Sequence, residues 1–302
     1  PSDGTGGGVA TEGAVVSVSP TLAEQYLAAA EGVVGAAASD PAAWARLGDP
    51  PGEVFVPFAL RGTPAVRADA VKDQVSRFLP AADAARAAEV ERTFLALRAF
   101  ADRAFRRPVT HAEMGRLMRL VENASSGGEG TERGFRLALT AVLVSPHFLF
   151  RVELDPPNDF ELATRLSYFL WSSAPDETLY RLAASGSLAD PRALAGQARR
   201  MLGDPRSRAL SENFAGQWLQ TRSLADVDRD PSRFPDFDPE LRRAMREETE
   251  SFFDHALREG RSALDLLTGD YTFVNDRLAR HYGLPGVEGS HFRLVSLAGT
   301  GR

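Results

Sequence analysis

The chain has 302 residues, 43% of them hydrophobic, with 35 basic against 41 acidic side chains, a net charge of -6 and a pI near 5.5. That length and apolar content support one large or two medium cores and exclude a disordered chain, while interspersed charges leave no broad basic surface for nucleic acid. The absence of cysteine excludes disulfides, thiolate metal sites, iron–sulfur clusters and covalently attached haem within the chain. Lys72 is its one lysine, a bias that a GC-rich genome explains more economically than a need for guanidinium groups.

Residues 1–14 are rich in Gly, Ser and Thr and are expected to be mobile. Ser19-Pro20 opens a helix through about Val34, with Ser19 as cap and Leu22, Tyr26 and Leu27 on the inner side. Asp40-Pro41 opens a short helix containing Trp44, and Glu53 to Leu60 reads as a first strand that Pro57 confines to an edge. From Ala81 to Arg107 the pattern is a long helix with an apolar stripe (Phe94, Leu97, Ala101, Phe105) and a charged one (Arg98, Asp102, Arg106), ended by Pro108. Thr110, three residues before Glu113, makes a capping box for a helix through Val121. Asn123 to Thr131 reads as a connector and Phe135 to Phe150 as a buried helix. Its apolar run, Leu137 to Val144, falls far short of the roughly 18 residues that span a bilayer.

After Asp155-Pro156-Pro157 comes Leu162 to Glu177, LATRLSYFLWSSAPDE, which reads as helix, sharp turn, helix. Leu162, Leu166, Phe169 and Leu170 form one apolar stripe, Glu161 and Arg165 a pair on a solvated flank, and Ser173 the cap of the next helix. Further helices start at Asp190-Pro191, Asp204-Pro205 and Asp238-Pro239, with Gly203 and Gly260 as stops. Phe214 and Trp218 share a face and read as packing. Asn275 caps a short helix to His281, and Phe292 to Leu297 is the second strand, paired with the first or lacking its partner. The fold expected is mainly α, a multi-helix orthogonal or bundle-like packing with at most two or three short β-strands. Its segments are 1–14, 15–80, 81–155 and 156–302, the last cut short at its C-terminal end, and the whole is expected to derive from a longer precursor.

Candidate chemistry concentrates in Leu241 to Glu259, where Glu248 and His255, seven apart, share a helix face and could serve acid–base work or bind a metal. The spacing matches neither the di-iron nor the zinc helix pattern, and a solvated stripe of Glu247, Glu250, Asp254 and Arg258 over inward Phe252, Phe253 and Leu257 accounts for the same helix. Asp270 and His281, with Asn275 and Arg277 nearby, could extend a polar site, although His281 is also what a helix C-terminus favours. Asp226, Asp228 and Asp230 resemble the start of a calcium loop, but Pro231 stands where that loop needs Gly and Phe237 where it needs a bidentate Glu. They are weak metal candidates, and a polar connector ending in the Asp238 cap explains them better. Arg103 to Thr110, RAFRRPVT, could grip a phosphate or carboxylate, or form a salt-bridged helix end.

Several segments together carry a family resemblance: Phe100 to Leu117, Leu162 to Glu177, Glu212 to Arg222, Met245 to Gly286 and, near the N-terminus, Ser17 to Ala30. They resemble the planctomycete-type family built from domains of unknown function. The main module is the domain numbered fifteen-ninety-two, preceded by a fifteen-ninety-five-type module and the end of a fifteen-eighty-seven-type module. The resemblance implies an exported protein in an extracytoplasmic setting, the periplasm or cell envelope, that commonly works beside a c-type cytochrome. This chain has no Cys-x-x-Cys-His, so no cofactor is expected in it, and any haem c would belong to a missing domain or a partner. Two functions follow as expectations. One is a helical scaffold or docking body for a c-type cytochrome module, using Trp171, Trp218 and apolar helix faces. The other is an enzyme, hydrolytic and acting on an environmental polymer, with Glu248, His255, Asp270 and His281 as its polar site.

Overall fold

Side-chain oxygens placed one residue ahead of each helix set most of the helix starts. Ser19, Thr110, Asp176, Asp238 and Asn275 each accept a backbone N–H from two or three residues into the following helix, satisfying donors that the first turn leaves unpaired. The computed structural model describes residues 19–48, 84–151, 153–227, 229–230 and 232–299. The Glu53 to Leu60 strand lies outside these residues. The described residues fall into two compact units that are discontinuous in sequence. One holds those up to Arg165 together with Ala174–Ala193; the other holds Leu166–Ser173 and those from Leu194 onward.

The first unit contains α1 (Pro20–Ser39), α2 (Pro41–Gly48), α3 (Ala84–Ala104), α4 (His111–Ser126), α5 (Gly130–Leu143), α6 (Pro146–Leu149), the start of α7 (Asp159–Trp171) and α8 (Glu177–Ala184). Its core draws Phe94, Leu97 and Ala101 from α3, Met114, Leu117 and Val121 from α4, and Phe135, Leu139 and Val142 from α5. α4 and α5, joined by only residues 127–129, pack closely enough that a Cβ at Gly134 would lie 2.5 Å from Val121 Cα. α2 adds Trp44, whose ring meets Phe135 edge-on at 5.5 Å.

The second unit continues from α7 and the body of α9 (Pro191–Leu202) into α10 (Arg208–Leu210), a π turn (Ser211–Ala215) and α11 (Gly216–Trp218). α12 (Pro239–Arg258), α13 (Asp265–Thr268), β1 (Tyr271–Val274), α14 (Asp276–Tyr282) and β2 (Arg293–Ser296) complete it. β1 and β2 pair antiparallel, Tyr271 opposite Ser296 and Val274 opposite Arg293. Leu241 and Ala244 of α12, Val274 of β1 and Leu278 and Ala279 of α14 form a small core.

The mainly α reading and the strand near Phe292 agree with this structure. Several local expectations do not. β2 pairs with Tyr271–Val274, a segment whose strand character the helical readings on either side obscured. The buried face of α7 is Ala163, Ser167, Leu170 and Trp171, one position out of phase with the expected stripe, which leaves Phe169 exposed. Leu27 is likewise exposed while Ala30 and Val34 are buried. Arg165 pairs with Glu153 rather than Glu161, whose carboxylate accepts N–H bonds from Leu154 and Asn158 at the helix start. Asp176, not Ser173, caps α8, and the Ser173 carbonyl accepts the Ser167 hydroxyl. The connector after α4 shrinks to residues 127–129, and the helix expected from Phe135 to Phe150 breaks into α5 and α6 at Ser145-Pro146, where Ser145 caps the second piece.

Candidate functional site

α12 places Glu248, Thr249, Phe252 and Phe253 on one face, since residues three or four apart are neighbours on a helix. That face forms one wall of a cavity of ≈ 700 Å³. Trp218 at the end of α11 with Leu219 after it, Leu266 and Leu267 of α13, Tyr271 and Thr272 of β1, and Tyr282, Leu284 and Leu297 close the rest. The Phe252 and Tyr271 rings stack at 4.7 Å, and Gly269 fits beside them because a Cβ there would meet Phe252 Cζ at 2.9 Å. Among the described residues, Glu248 is the one acid or base in the lining apart from the tyrosine hydroxyl groups. Its Oε2 accepts the Tyr282 hydroxyl at 2.7 Å, and its Oε1 accepts the hydroxyl of buried Thr272. Two donors thus fix the carboxylate, while each oxygen keeps acceptor capacity for a further partner.

The other three residues of the sequence-derived set are elsewhere. His255 lies two turns further along α12, about 10 Å by helix rise. Its ring packs against Tyr271 at 5.4 Å and Phe273 at 5.3 Å, and its buried Nε2 has no hydrogen-bond partner among the described residues. Asp270 is exposed and contributes its carbonyl, which accepts the Leu297 N–H. His281 is exposed in the last turn of α14. Asn275 and Arg277 are also otherwise engaged, the first capping α14 and the second bound to Asp238 and the Asp236 carbonyl. Of the Asp-rich loop, Asp226 ends a 3₁₀ turn, Asp230 accepts the N–H and hydroxyl of Ser232, and Asp228 lies outside the described residues. No group of three or more His, Asp or Glu side chains arranged to hold a metal is found among the described residues. The supposedly solvated stripe of α12 is a network: Glu250 is buried and pairs with Arg246, Glu247 pairs with Arg208, and Asp254 takes Arg258 and the Ser211 hydroxyl.

A second polar cluster, in the other unit, is built from RAFRRPVT. Arg106 adopts a left-handed backbone (φ 57°) that ends α3 ahead of Pro108, and its guanidinium donates to the carbonyls of His147, Phe148 and Phe150. Arg107 makes a two-pronged bond to Glu113 at 3.0 and 2.8 Å, and Glu113 also closes the capping box with Thr110. These bonds hold the Glu113 carboxyl down at about 2, led by the Arg107 hydrogen bonds, which outweigh its burial. Asp102 accepts the Val109 N–H at 2.6 Å through Oδ1, while Oδ2 lacks a hydrogen bond and faces Arg98 Nε at 3.8 Å. Burial therefore dominates and pushes its carboxyl up to about 7. The Tyr180 hydroxyl, itself raised by burial, donates to the Asp102 carbonyl. The cluster is a buried brace: Arg98, Asp102 and Arg106, read from sequence as a charged stripe, are all at least nine-tenths covered.

Three family models match, each described as a protein of unknown function: DUF1587 over residues 1–39, DUF1595 over 92–153 and DUF1592 over 158–284. The chain carries these three modules in this order. No curated protein matches it, and neither does any solved structure. The brace lies in the DUF1595 module except for Tyr180, which the DUF1592 module supplies. Most of the cavity, including Glu248, Thr272 and Tyr282, lies in the DUF1592 module, and Leu297 lies beyond its matched span. Of this lining, Glu248 is legible in the sequence as a site residue, Phe252 and Phe253 as packing, and Trp218 both as packing and as part of a docking face. Thr272 and Tyr282 were missed; the aromatic and β-branched run Tyr271–Val274 after Gly269-Asp270 was the available signal.

Proposed function

We propose that this region is a helical docking body of an exported envelope protein, serving a c-type cytochrome module in the same precursor or on a partner. The observation that supports docking is the exposed apolar surface at the Glu248 cavity, where the lining residues Leu267 and Trp218 are 86% and 56% exposed, and Leu264, three residues before Leu267, is 67% exposed. Large apolar side chains grouped in the open mark contact surfaces more often than scattered single ones do. The choice of a cytochrome, and of an extracytoplasmic setting, is supported by the family resemblance and by the absence of cysteine, which leaves covalent haem to another module. Trp171 takes no part in it: the indole is buried, donates to the Met201 carbonyl at 3.0 Å and is covered by the Arg206 guanidinium. The hydrolytic alternative gains no support from the geometry, since Glu248 is held by two hydroxyl groups and His255 is enclosed by rings about two turns away.

The test is capture of a c-type cytochrome by the intact precursor, with reduction kinetics of the captured haem as a second readout. Leu264→Asp, which places a charge in the exposed surface without touching either core, is expected to weaken capture at least about tenfold, the equivalent of 1.4 kcal/mol. An intact, folded precursor that captures no cytochrome removes the proposal.

A further inference from the structure

We infer that the cavity beside Glu248 binds a small amphipathic organic cation, an amine or quaternary ammonium group carried on an apolar body. This goes beyond the docking proposal and does not depend on it. The cavity's ≈ 700 Å³ lies within the range of small-molecule sites. Among the described residues its lining contains a carboxylate and no arginine, lysine or histidine, so the fixed charge of that wall is negative. Thr272 and Tyr282 already donate their protons to Glu248, leaving the carboxylate as an acceptor aimed at whatever enters. Phe252, Phe253 and Trp218 add ring faces that attract cations, whereas Tyr271 is already covered by Phe252 and by the Arg261 guanidinium at 5.0 Å. Leu266, Leu284 and Leu297 would cover a hydrocarbon body.

Other ligand classes fit less well. An anion would meet Glu248 directly, and a neutral apolar ligand would strip water from the carboxylate while offering it nothing in return. A cation on an apolar body satisfies both halves of the wall at once.

The experiment is isothermal titration of the full chain with 4-phenylbutyltrimethylammonium, against 4-phenylbutanol and 4-phenylbutyrate as neutral and anionic counterparts. The cation is expected to bind at least about tenfold more tightly than either counterpart. Glu248→Gln keeps the size of the side chain and an acceptor for Thr272 or Tyr282, and is expected to abolish that preference. Gly269→Ala, whose methyl would meet the Asp265 carbonyl oxygen at 2.8 Å and the ring edges of Phe252 and Tyr271 at 2.9 and 3.1 Å without altering charge, is expected to disturb this wall and weaken all three ligands. Leu264→Asp, outside the lining, adds a negative charge and should leave cation binding no weaker while it weakens docking, which separates this inference from the docking proposal. Equal binding of the three probes, no binding of the cation, or an unchanged preference in a folded Glu248→Gln chain would overturn it.

Discussion

Asp102 and Glu113 are two carboxyl groups of one buried cluster pushed in opposite directions, and the difference is one of hydrogen bonding. Glu113 receives two bonds from Arg107 and two from Thr110, so its charged form is the stable one. Asp102 receives one N–H bond and a distant Arg98, with Arg107 also lowering and Glu113 raising its titration, and burial prevails. The consequence for stability has a definite sign at each residue. With a folded value near 7 against 3.8, Asp102 keeps a proton in the folded chain that the unfolded chain has released, so stability falls as pH rises between those values. Glu113, near 2 against 4.5, contributes stability above 4.5 that is lost as pH falls toward 2. Urea unfolding of the full chain from pH 3 to 8 is therefore expected to show a decline toward neutrality that Asp102→Asn flattens, and an acid decline that Glu113→Gln flattens. The slope from one such group is at most about 1.4 kcal/mol per pH unit. An Asp102→Asn chain with the parent's neutral-side slope would show that the Asp102 carboxyl is ionised in the folded state.

At the scale of elements, the tightest fit is the α4–α5 hairpin. Gly134 is buried where its Cα faces the backbone of Val121, and an added methyl would lie 2.8 Å from the Val121 carbonyl oxygen as well as 2.5 Å from its Cα. Backbone cannot rotate away as a side chain can, so the helices must separate. Gly134→Ala is expected to destabilise the chain by about 2–3 kcal/mol despite alanine's better helix propensity, read as a lowered urea midpoint. An unchanged or raised midpoint would mean the hairpin opens at little cost. What was legible in the sequence follows the same division between local and distant causes. Ser19, the Thr110–Glu113 box, Asp238 and Asn275 were readable as caps because each bonds to a backbone group two or three residues away. Arg98, Asp102 and Arg106 were readable as a helical stripe, but their burial depends on Val109, Tyr180 and the carbonyls after α5, up to 78 residues distant. The phase of α7 slipped for a similar reason: Ser167 and Ala163 face inward because Ser167 can reach the Ser173 carbonyl, which a count of apolar residues does not see. Glu248 was readable as a polar residue on an aromatic helix. Its partners Thr272 and Tyr282 were not, since they arrive through a strand and a helix 24 and 34 residues later.

For the whole molecule, the boundaries of the sequence modules and of the compact units differ in an informative way. The DUF1595 match stops at residue 153 and the DUF1592 match begins at 158, yet Ala174–Ala193 belongs to the same compact unit as the DUF1595 residues. In that segment Leu179 and Leu188 are fully buried, Tyr180 bonds to Asp102, its ring meets Phe160 at 5.8 Å, and the Leu188 N–H is accepted by Asp159. A cut between the modules would thus leave the Asp102 carbonyl without its donor and remove the buried Leu179 and Leu188 from the unit. Burial of those side chains contributes on the order of 5 kcal/mol, comparable with the whole stability of a small domain. A fragment of residues 1–155 is accordingly expected to show weak near-ultraviolet dichroism and a low urea midpoint, and a fragment of 1–193 to recover both. Tyr180→Phe in the longer fragment should cost about 1–3 kcal/mol of stability, the cost of one buried acceptor left unbonded, read as a lowered urea midpoint. If 1–155 unfolds at the same urea concentration as 1–193, the seam between the modules is a true folding boundary and α8 merely rests on a core that is already complete.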